Sequence, residues 1–370
     1  MSRLGCAVVG LGVGLEHVKA YAQLPESELV AVCDQDATKA RRVADQYGVE
    51  AYTDLRNLLR NERVEVVSIA TPHLSHAALT IAALEAGRHV IVEKPLTLSL
   101  READAMIECA RRTGRTLATI FQRRFWPASL QAKRAIADGK IGRVVSGEGE
   151  LTWWRTPAYF QSARWRGRWD TEGGGVLVNQ GPHLIDMFLW LMGDEVETLW
   201  ARWANLSHPY IEVDDNAVAA VQLRGGALGV LRFSTSSRFS RTRVVVHGAN
   251  GASVGVNEEP EGSVGYNDLW TIPGEEGVAE ASLQQHAEKG EYIYNPLHLN
   301  PEGAWSNGYR YRQPADPSYH AVQIADFLAA IREGREPLVN GEEGRKSVEL
   351  LNAIYESGRT GQPVRFPVLR

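Results

Sequence analysis

Long apolar runs are missing from this sequence. No stretch approaches the ~18 consecutive apolar residues of a membrane-spanning helix, so no membrane partner is expected. The opening residues carry no cationic segment, apolar core or cleavage signal, and a cytoplasmic location is the expectation. Cysteine is scarce. The three present, Cys6, Cys33 and Cys109, are too far apart for a disulfide framework or a Cys-x-x-Cys metal motif, so no metal is expected. Cys6 and Cys33 fall in expected strands, where a buried thiol serves as a small hydrophobe. Positive charge is not in excess either: the formal charge is −5, and arginines are scattered, which removes the electrostatic reason for nucleic-acid binding. No internal repeat or low-complexity tract is evident.

What remains is an ordinary globular composition, 44% hydrophobic and 23% charged over 370 residues, long enough for two packed domains. The first third alternates short runs rich in Val, Ile and Ala (4–9, 28–33, 64–70, 88–92, 115–120) with helical patterns (15–24, 37–47, 54–59, 75–86, 100–113). Continuous apolar strands at this pace predict a parallel sheet covered on both faces, an α/β arrangement. Gly48, Gly87 and Gly114 stand just past three of the helices, where a left-handed cap is wanted, and Asp54 precedes a short helix that it can cap.

Between the first strand and helix lies Val8-Val9-Gly10-Leu11-Gly12-Val13-Gly14. Gly10 permits a tight turn and Gly12 a close approach to a pyrophosphate, which the next helix would meet with free amides. The third glycine is Gly14, one residue early for the usual spacing, so the motif alone also fits a plain turn. Asp34, 24 residues beyond Gly10, ends the second strand, where a carboxylate can accept from both ribose hydroxyls and repel a 2′-phosphate. Gln35 and Asp36 offer no cation, so NAD rather than NADP is expected; a solvated strand-end aspartate is the plain alternative. Thr71-Pro72-His73 and Glu93-Lys94-Pro95 follow two further strands, at the sheet edge where ligands of open parallel sheets bind. His73 and His76 read equally as ligand contacts or structural helix-start residues, and either proline can be cis.

These segments, with Phe121-Gln122-Arg123-Arg124-Phe125 and the run Gly173 to Asp186 (GGGVLVNQGPHLID), resemble the Gfo/Idh/MocA family of nicotinamide-dependent oxidoreductases over nearly the whole chain. The resemblance implies an N-terminal Rossmann domain, then an α+β domain on a large, mostly antiparallel open sheet through which members form homodimers or homotetramers. It places cofactor contacts on Gly10, Gly12, Val13, Gly14, Asp34, Thr71, Pro72, His73, His76, Glu93, Lys94 and Pro95. It makes Lys94 a catalytic or substrate-orienting residue and His183 the proton-transfer residue. Where the family often has an aspartate this chain has Asn179, and an amide can orient a hydroxyl but not carry its charge.

Organisation changes after Gln122, so residues 1–122 form the dinucleotide domain and 123–370 the substrate and oligomerisation domain, with a possible return of the C-terminal helix to the first. A helix is expected over 125–138 and strands over 144–153, 196–204, 216–224, 227–234 and 243–247, with Gly225-Gly226 as a hairpin turn. In the helical stretch 181–192, His183 and Asp186 are three apart on one surface. Asp186 either orients the imidazole or braces a buried helix; the resemblance favours a supporting role. Gln122 and Arg123 are expected at the pocket wall. Trp153, Tyr159, Arg164 and Trp165 crowd one interval with further Arg and Trp; rings can pack on a sugar and guanidinium groups can meet an anion, while an interface would use the same residues. The span 258–317 is rich in Gly, Pro and aromatics and reads as long loops or an insertion. Helices follow at 318–333 and 341–357, ended by Gly334 and Gly358.

The expected reaction is NAD-dependent oxidation of a secondary hydroxyl on a sugar, cyclitol or sugar nucleotide. Ketone reduction, NAD-dependent glycoside cleavage and a non-enzymatic cofactor sensor are the alternatives within the same resemblance.

Overall fold

The computed structural model describes residues 3–258, 264–282, 292–294, 309–311 and 318–368. Its contacts divide the chain into two compact units, Met1–Gln122 with Pro317–Val348, and Arg123–Asp316 with Glu349–Arg370. The later part of the first unit holds the helix Tyr319–Glu333 and the first part of Gly341–Thr360.

In the first unit, β1 (Leu4–Val9), β2 (Ser27–Cys33), β3 (Glu50–Tyr52), β4 (Val66–Ile69), β5 (His89–Val92) and β6 (Leu117–Thr119) form a parallel sheet in the order β3-β2-β1-β4-β5-β6. Strand order reverses between β1 and β4, which opens a crevice at their carboxyl ends. The expected strands are present with trimmed ends; the three-residue edge strand β3 is additional, too short to show a pattern. Asp54 caps its helix by accepting from Arg56 N at 2.7 Å, and Gly48 and Gly114 sit at φ +67° and +62° past theirs. The returning helix closes the other edge: Gln323 accepts from Phe121 N at 2.9 Å and donates to Thr119 O at 2.8 Å, so a side-chain amide occupies groups that β6 would leave open. Ile324, Phe327 and Leu328 meanwhile join Val18 and Tyr21 in the core, and burying Phe327 alone contributes roughly 2–3 kcal/mol.

The second unit is built on β7 (Val144–Thr152), β8 (Val196–Ala204), β9 (Asn216–Leu223), β10 (Leu228–Ser234), β11 (Arg241–Gly248), β12 (Ser253–Glu258), β13 (Gly265–Tyr266) and, near the chain end, Val364–Arg365. The order is β13-β12-β11-β7-β10-β9-β8 and then Val364–Arg365, antiparallel throughout except for the parallel β7–β10 pair. Gly226, at φ +84°, turns the β9–β10 hairpin. The helix Gly181–Met192 lies on one face of this sheet because strand glycines make room for it. A Cβ on Gly147 would meet Met192 Sδ at 2.3 Å, and one on Gly229 would meet Phe188 Cζ at 2.4 Å.

Most of 258–317 lies outside the described residues. The last helix corrects an expectation: it runs through Gly358 to Thr360. Gly358 is there for packing, since a Cβ would fall 2.2 Å from Trp203 Cδ1. All three cysteines are buried and free. Among the described residues no helix is long and apolar enough to cross a membrane.

Candidate active site

At the crevice of the first unit, Gly10 has φ +89° and a Cβ there would lie 2.5 Å from Ala70 O, so only glycine lets β1 turn against the end of β4. Gly14 starts the helix Gly14–Gln23 within 3.1 Å of Ala70 Cβ by the same measure. Gly12 differs: nothing lies within 4 Å of its missing Cβ. No internal contact requires glycine at that position, whereas a pyrophosphate against uncapped helix amides would. Val13 is exposed beside it.

Asp34 follows β2. Its Oδ2 accepts from Leu11 N at 2.9 Å and Lys39 Nζ at 3.0 Å, and its Oδ1 accepts from Asp36 N at 3.0 Å. Burial alone would raise its pKa, but the two backbone amides and Lys39 hold the carboxyl below its usual range. Lys39 corrects the sequence reading, which finds no cation beside Asp34. The ammonium comes from the first turn of the helix Ala37–Tyr47 rather than from the adjoining residues.

Thr71, Pro72 and His73 follow β4, with Thr71 Oγ1 accepting from Ser75 at 2.7 Å and His73 buried. His76 is fully buried, with Nδ1 2.8 Å from Pro95 O and Nε2 2.8 Å from Thr71 O. The ring is thus held between carbonyls of the two loops and donates from whichever nitrogen carries its proton. Burial lowers its pKa against the pull of both carbonyls. Of the two prolines, Pro95 follows a cis peptide bond.

Glu93 is buried and accepts from three directions. His17 Nε2 lies 3.1 Å and His320 Nε2 3.4 Å from Oε1, and Lys94 N donates to Oε2 at 3.2 Å. Burial would raise this carboxyl, yet the two imidazoles hold it well below the ordinary range. Lys94, half-buried, therefore extends from a backbone pinned at the end of β5.

In the second unit, His183 is 8% exposed at the start of its helix and borders a small cavity with Arg123, Trp126 and Glu258. Arg123 is buried against Glu258 at 2.5 Å and lies over the rings of Trp126 and Trp153; Gln122 precedes it, 9% exposed. Asp186 is engaged by Arg124, whose Nε and Nη2 approach its oxygens at 3.0 and 2.6 Å. Such a buried fork braces the helix, so the supporting charge assigned to Asp186 has Arg124 as its partner.

Asn179 donates to Glu172 Oε1 at 2.6 Å, and Gly167 N donates to Glu172 Oε2 at 2.5 Å. Burial raises the Glu172 pKa despite these donors and Arg166. A carboxyl is thus joined to the amide after all, supplied from the residue preceding Gly173. The same segment is tied down at Asp214, which accepts from Gly175 N, Leu177 N and Tyr355 at 2.8, 2.9 and 2.7 Å. A Cβ on Gly175 would strike Asp214 O at 1.8 Å, and one on Gly174 would strike Tyr355 Oη at 2.1 Å, so the glycine run is a close backbone passage.

Tyr159 is bracketed by guanidinium groups, Arg155 at 4.4 Å and Arg166 at 4.3 Å from its ring centre, and its hydroxyl accepts from Gln180 at 3.0 Å. Arg155 also lies over Trp153, and Arg166 over Trp165. Arg164 stands exposed, as do Arg168 and Trp169 farther along the cluster. Lys39, Glu172, Asp214, His17 and His320 were not singled out by sequence. Each is isolated in the chain and acquires a partner only through folding; the one local sign was Glu172 beside the glycine run.

Residues 4–121 match the family model described as an oxidoreductase family with an NAD-binding Rossmann fold, and residues 129–254 match the GFO/IDH/MocA C-terminal domain. The chain is 28% identical to scyllo-inositol 2-dehydrogenase (NAD(+)) of Bacillus subtilis, over 99% of this chain and 97% of that protein. It is 27% identical to myo-inositol 2-dehydrogenase of Thermotoga maritima, over 95% of each. Its structure is similar to that of the WlbA dehydrogenase from Bordetella pertussis in complex with NADH and UDP-GlcNAcA, with a TM-score of 0.80, 26% identity and full coverage of both chains. With a dinucleotide crevice in one unit and the mixed sheet in the other, the chain belongs to the Gfo/Idh/MocA family of NAD-dependent oxidoreductases.

Proposed function

We propose that this enzyme oxidises a secondary hydroxyl of a sugar, cyclitol or sugar nucleotide, with Lys94 and His183 as its catalytic residues. The observation that carries the reading is Lys94 at the carboxyl end of β5, held by Glu93 beside the crevice that Gly10, Gly12 and Asp34 shape for a dinucleotide. NAD, when bound, accepts the hydride. Lys94 donates to the substrate oxygen and favours the negative charge that develops there. His183 takes the hydroxyl proton, a task suited to an imidazole near neutral pH. Asn179, its amide fixed by Glu172, orients a neighbouring hydroxyl. Trp153, Tyr159 and Trp165 offer ring faces to the C–H surface of a sugar, and Gln122 and Arg123 complete the wall. The dehydrogenation of inositols named for the relatives supports this substrate class.

NAD is preferred over NADP in this proposal because Asp34 is an ionised carboxylate at the ribose end of the crevice. The protein acts in the cytoplasm as a homodimer or homotetramer, joined through the open face of the second sheet. On that face Trp200, Val218, Leu228 and Val230 are 40–60% exposed, an apolar patch on neighbouring strands.

The test is a panel of polyols, sugars and sugar nucleotides with NAD, followed by nicotinamide absorbance. Net NADH formation with at least one alcohol is expected. In His183→Ala turnover should fall by ~10²–10⁴ while NADH affinity persists. Glycosidic cleavage without net NADH would replace oxidation with hydrolysis, and NADH binding with no turnover on any substrate would favour a sensor.

A further inference from the structure

We propose that His320 is a positioning residue for the reaction, acting through the Glu93 carboxylate on the backbone that carries Lys94. The inference rests on the role of Lys94 proposed above. Glu93 is 4% exposed and collects donors from separate elements. His17 comes from the helix Gly14–Gln23, and its other nitrogen, Nδ1, meets Ser68 Oγ at 3.0 Å; that hydroxyl in turn meets Tyr21 Oη at 2.7 Å. This arm is fully buried and belongs to the core of the first helix. His320 is the other arm. It lies in the first turn of the helix capped by Ser318, its side chain 16% exposed, with its ring centre 5.8 Å from that of His17. Both imidazoles converge on Oε1, leaving Oε2 to accept from Lys94 N.

A buried carboxylate keeps its orientation only while its donors persist. Without His320, Glu93 must turn toward His17 or draw in water, and either change shifts the acceptor of the Lys94 amide. Small displacements of a catalytic group are costly, up to about 10²-fold per ångström. Because His320 is partly exposed and stands at a helix start, its replacement opens no core cavity. Its effect therefore reads out in Lys94 more than in the fold.

The three side chains also place one ligand atom each within 4.8 Å of one another, a spacing that suits a divalent cation. Three N–H donors already satisfy the carboxylate, so the proposal commits to a metal-free hydrogen-bonded cluster.

The test uses the full chain with its best alcohol substrate, comparing H320L, H320Q, K94A and K94A/H320L. Glutamine can place an N–H where Nε2 was; leucine cannot. H320L is expected to lower kcat about tenfold, with KM and NADH affinity near wild type, and H320Q to recover most of the loss. The H320L change should cost little in the K94A background, since the two act in series. Wild-type kcat in H320L, equal kcat in H320L and H320Q, additive losses in the double variant, or a stoichiometric metal in the purified protein would each overturn the proposal. Should H320L fail to fold, H320Q against H320N carries the test: a higher kcat for H320Q supports it and equality overturns it. K94A with wild-type turnover would instead remove the underlying role of Lys94, whereas a defective K94A beside a normal H320L removes only this inference.

Discussion

Asp34→Asn should weaken NAD binding and shift the protein toward NADP. The carboxylate already accepts from Leu11 N, Asp36 N and Lys39 Nζ at 2.9–3.0 Å, and its remaining lone-pair directions are available to ribose hydroxyls. Exchanging charge-assisted bonds of ~1.5–3 kcal/mol for neutral ones of ~0.5–1.5 costs about 1–3 kcal/mol, or roughly 10–100-fold in NAD affinity. A 2′-phosphate gains by the same change. At ~4 Å and an effective dielectric of ~20 the carboxylate repels a unit charge by ~4 kcal/mol. Allowing half of that for solvent screening leaves ~2 kcal/mol, about 30-fold. Lys39, released from its partner, becomes a cation for the phosphate. The preference ratio should therefore move by roughly 300–3,000-fold. Fluorescence titrations with NADH and NADPH on the wild type, D34N and D34N/K39A measure it. A D34N ratio within about threefold of wild type would refute the reasoning, and an undiminished NADPH gain in the double variant would remove Lys39 from it.

Asp186→Ala removes the carboxylate that the buried Arg124 fork grips and should destabilise the protein by ~3–5 kcal/mol in urea unfolding; a loss under about 1 kcal/mol would show that the fork does not brace the helix. Gly10→Ala should abolish NADH binding and lower Tm, because a Cβ cannot fit beside Ala70 O at φ +89°; normal binding would contradict that geometry. For Glu93 the folded pKa lies below the ordinary 4.5, so its contribution is complete above that value and lost as pH falls through the folded one. The stability advantage of wild type over Glu93→Gln should thus shrink on acidification below about pH 4.5, and an advantage that grows there would reverse the sign.

The parallel sheet was legible because each strand is a continuous apolar run and each helix carries its own punctuation, as Asp54, Gly48 and Gly114 illustrate. Strand β3 was not, since three residues at a sheet edge make no periodic signal. Gly358 misled because a packing glycine and a capping glycine look alike in sequence; Trp203 decides between them. In the candidate site, Gly10, Asp34, Lys94 and His183 sit in recognisable motifs. Their partners do not: Glu172 for Asn179, Arg124 for Asp186 and His320 for Glu93 are joined by the fold rather than by spacing. Lys39 lay one helical turn beyond the residues that local reasoning inspects.

The most direct test of the proposed chemistry follows the hydrogen itself. The best alcohol substrate, deuterated at the reacting carbon, is incubated with the enzyme and NAD, and the nicotinamide is recovered for mass spectrometry. One deuterium on the ring is the predicted result, with the transfer rate falling at least ~10²-fold in His183→Ala. Product formed with no deuterium on the nicotinamide would contradict direct hydride transfer.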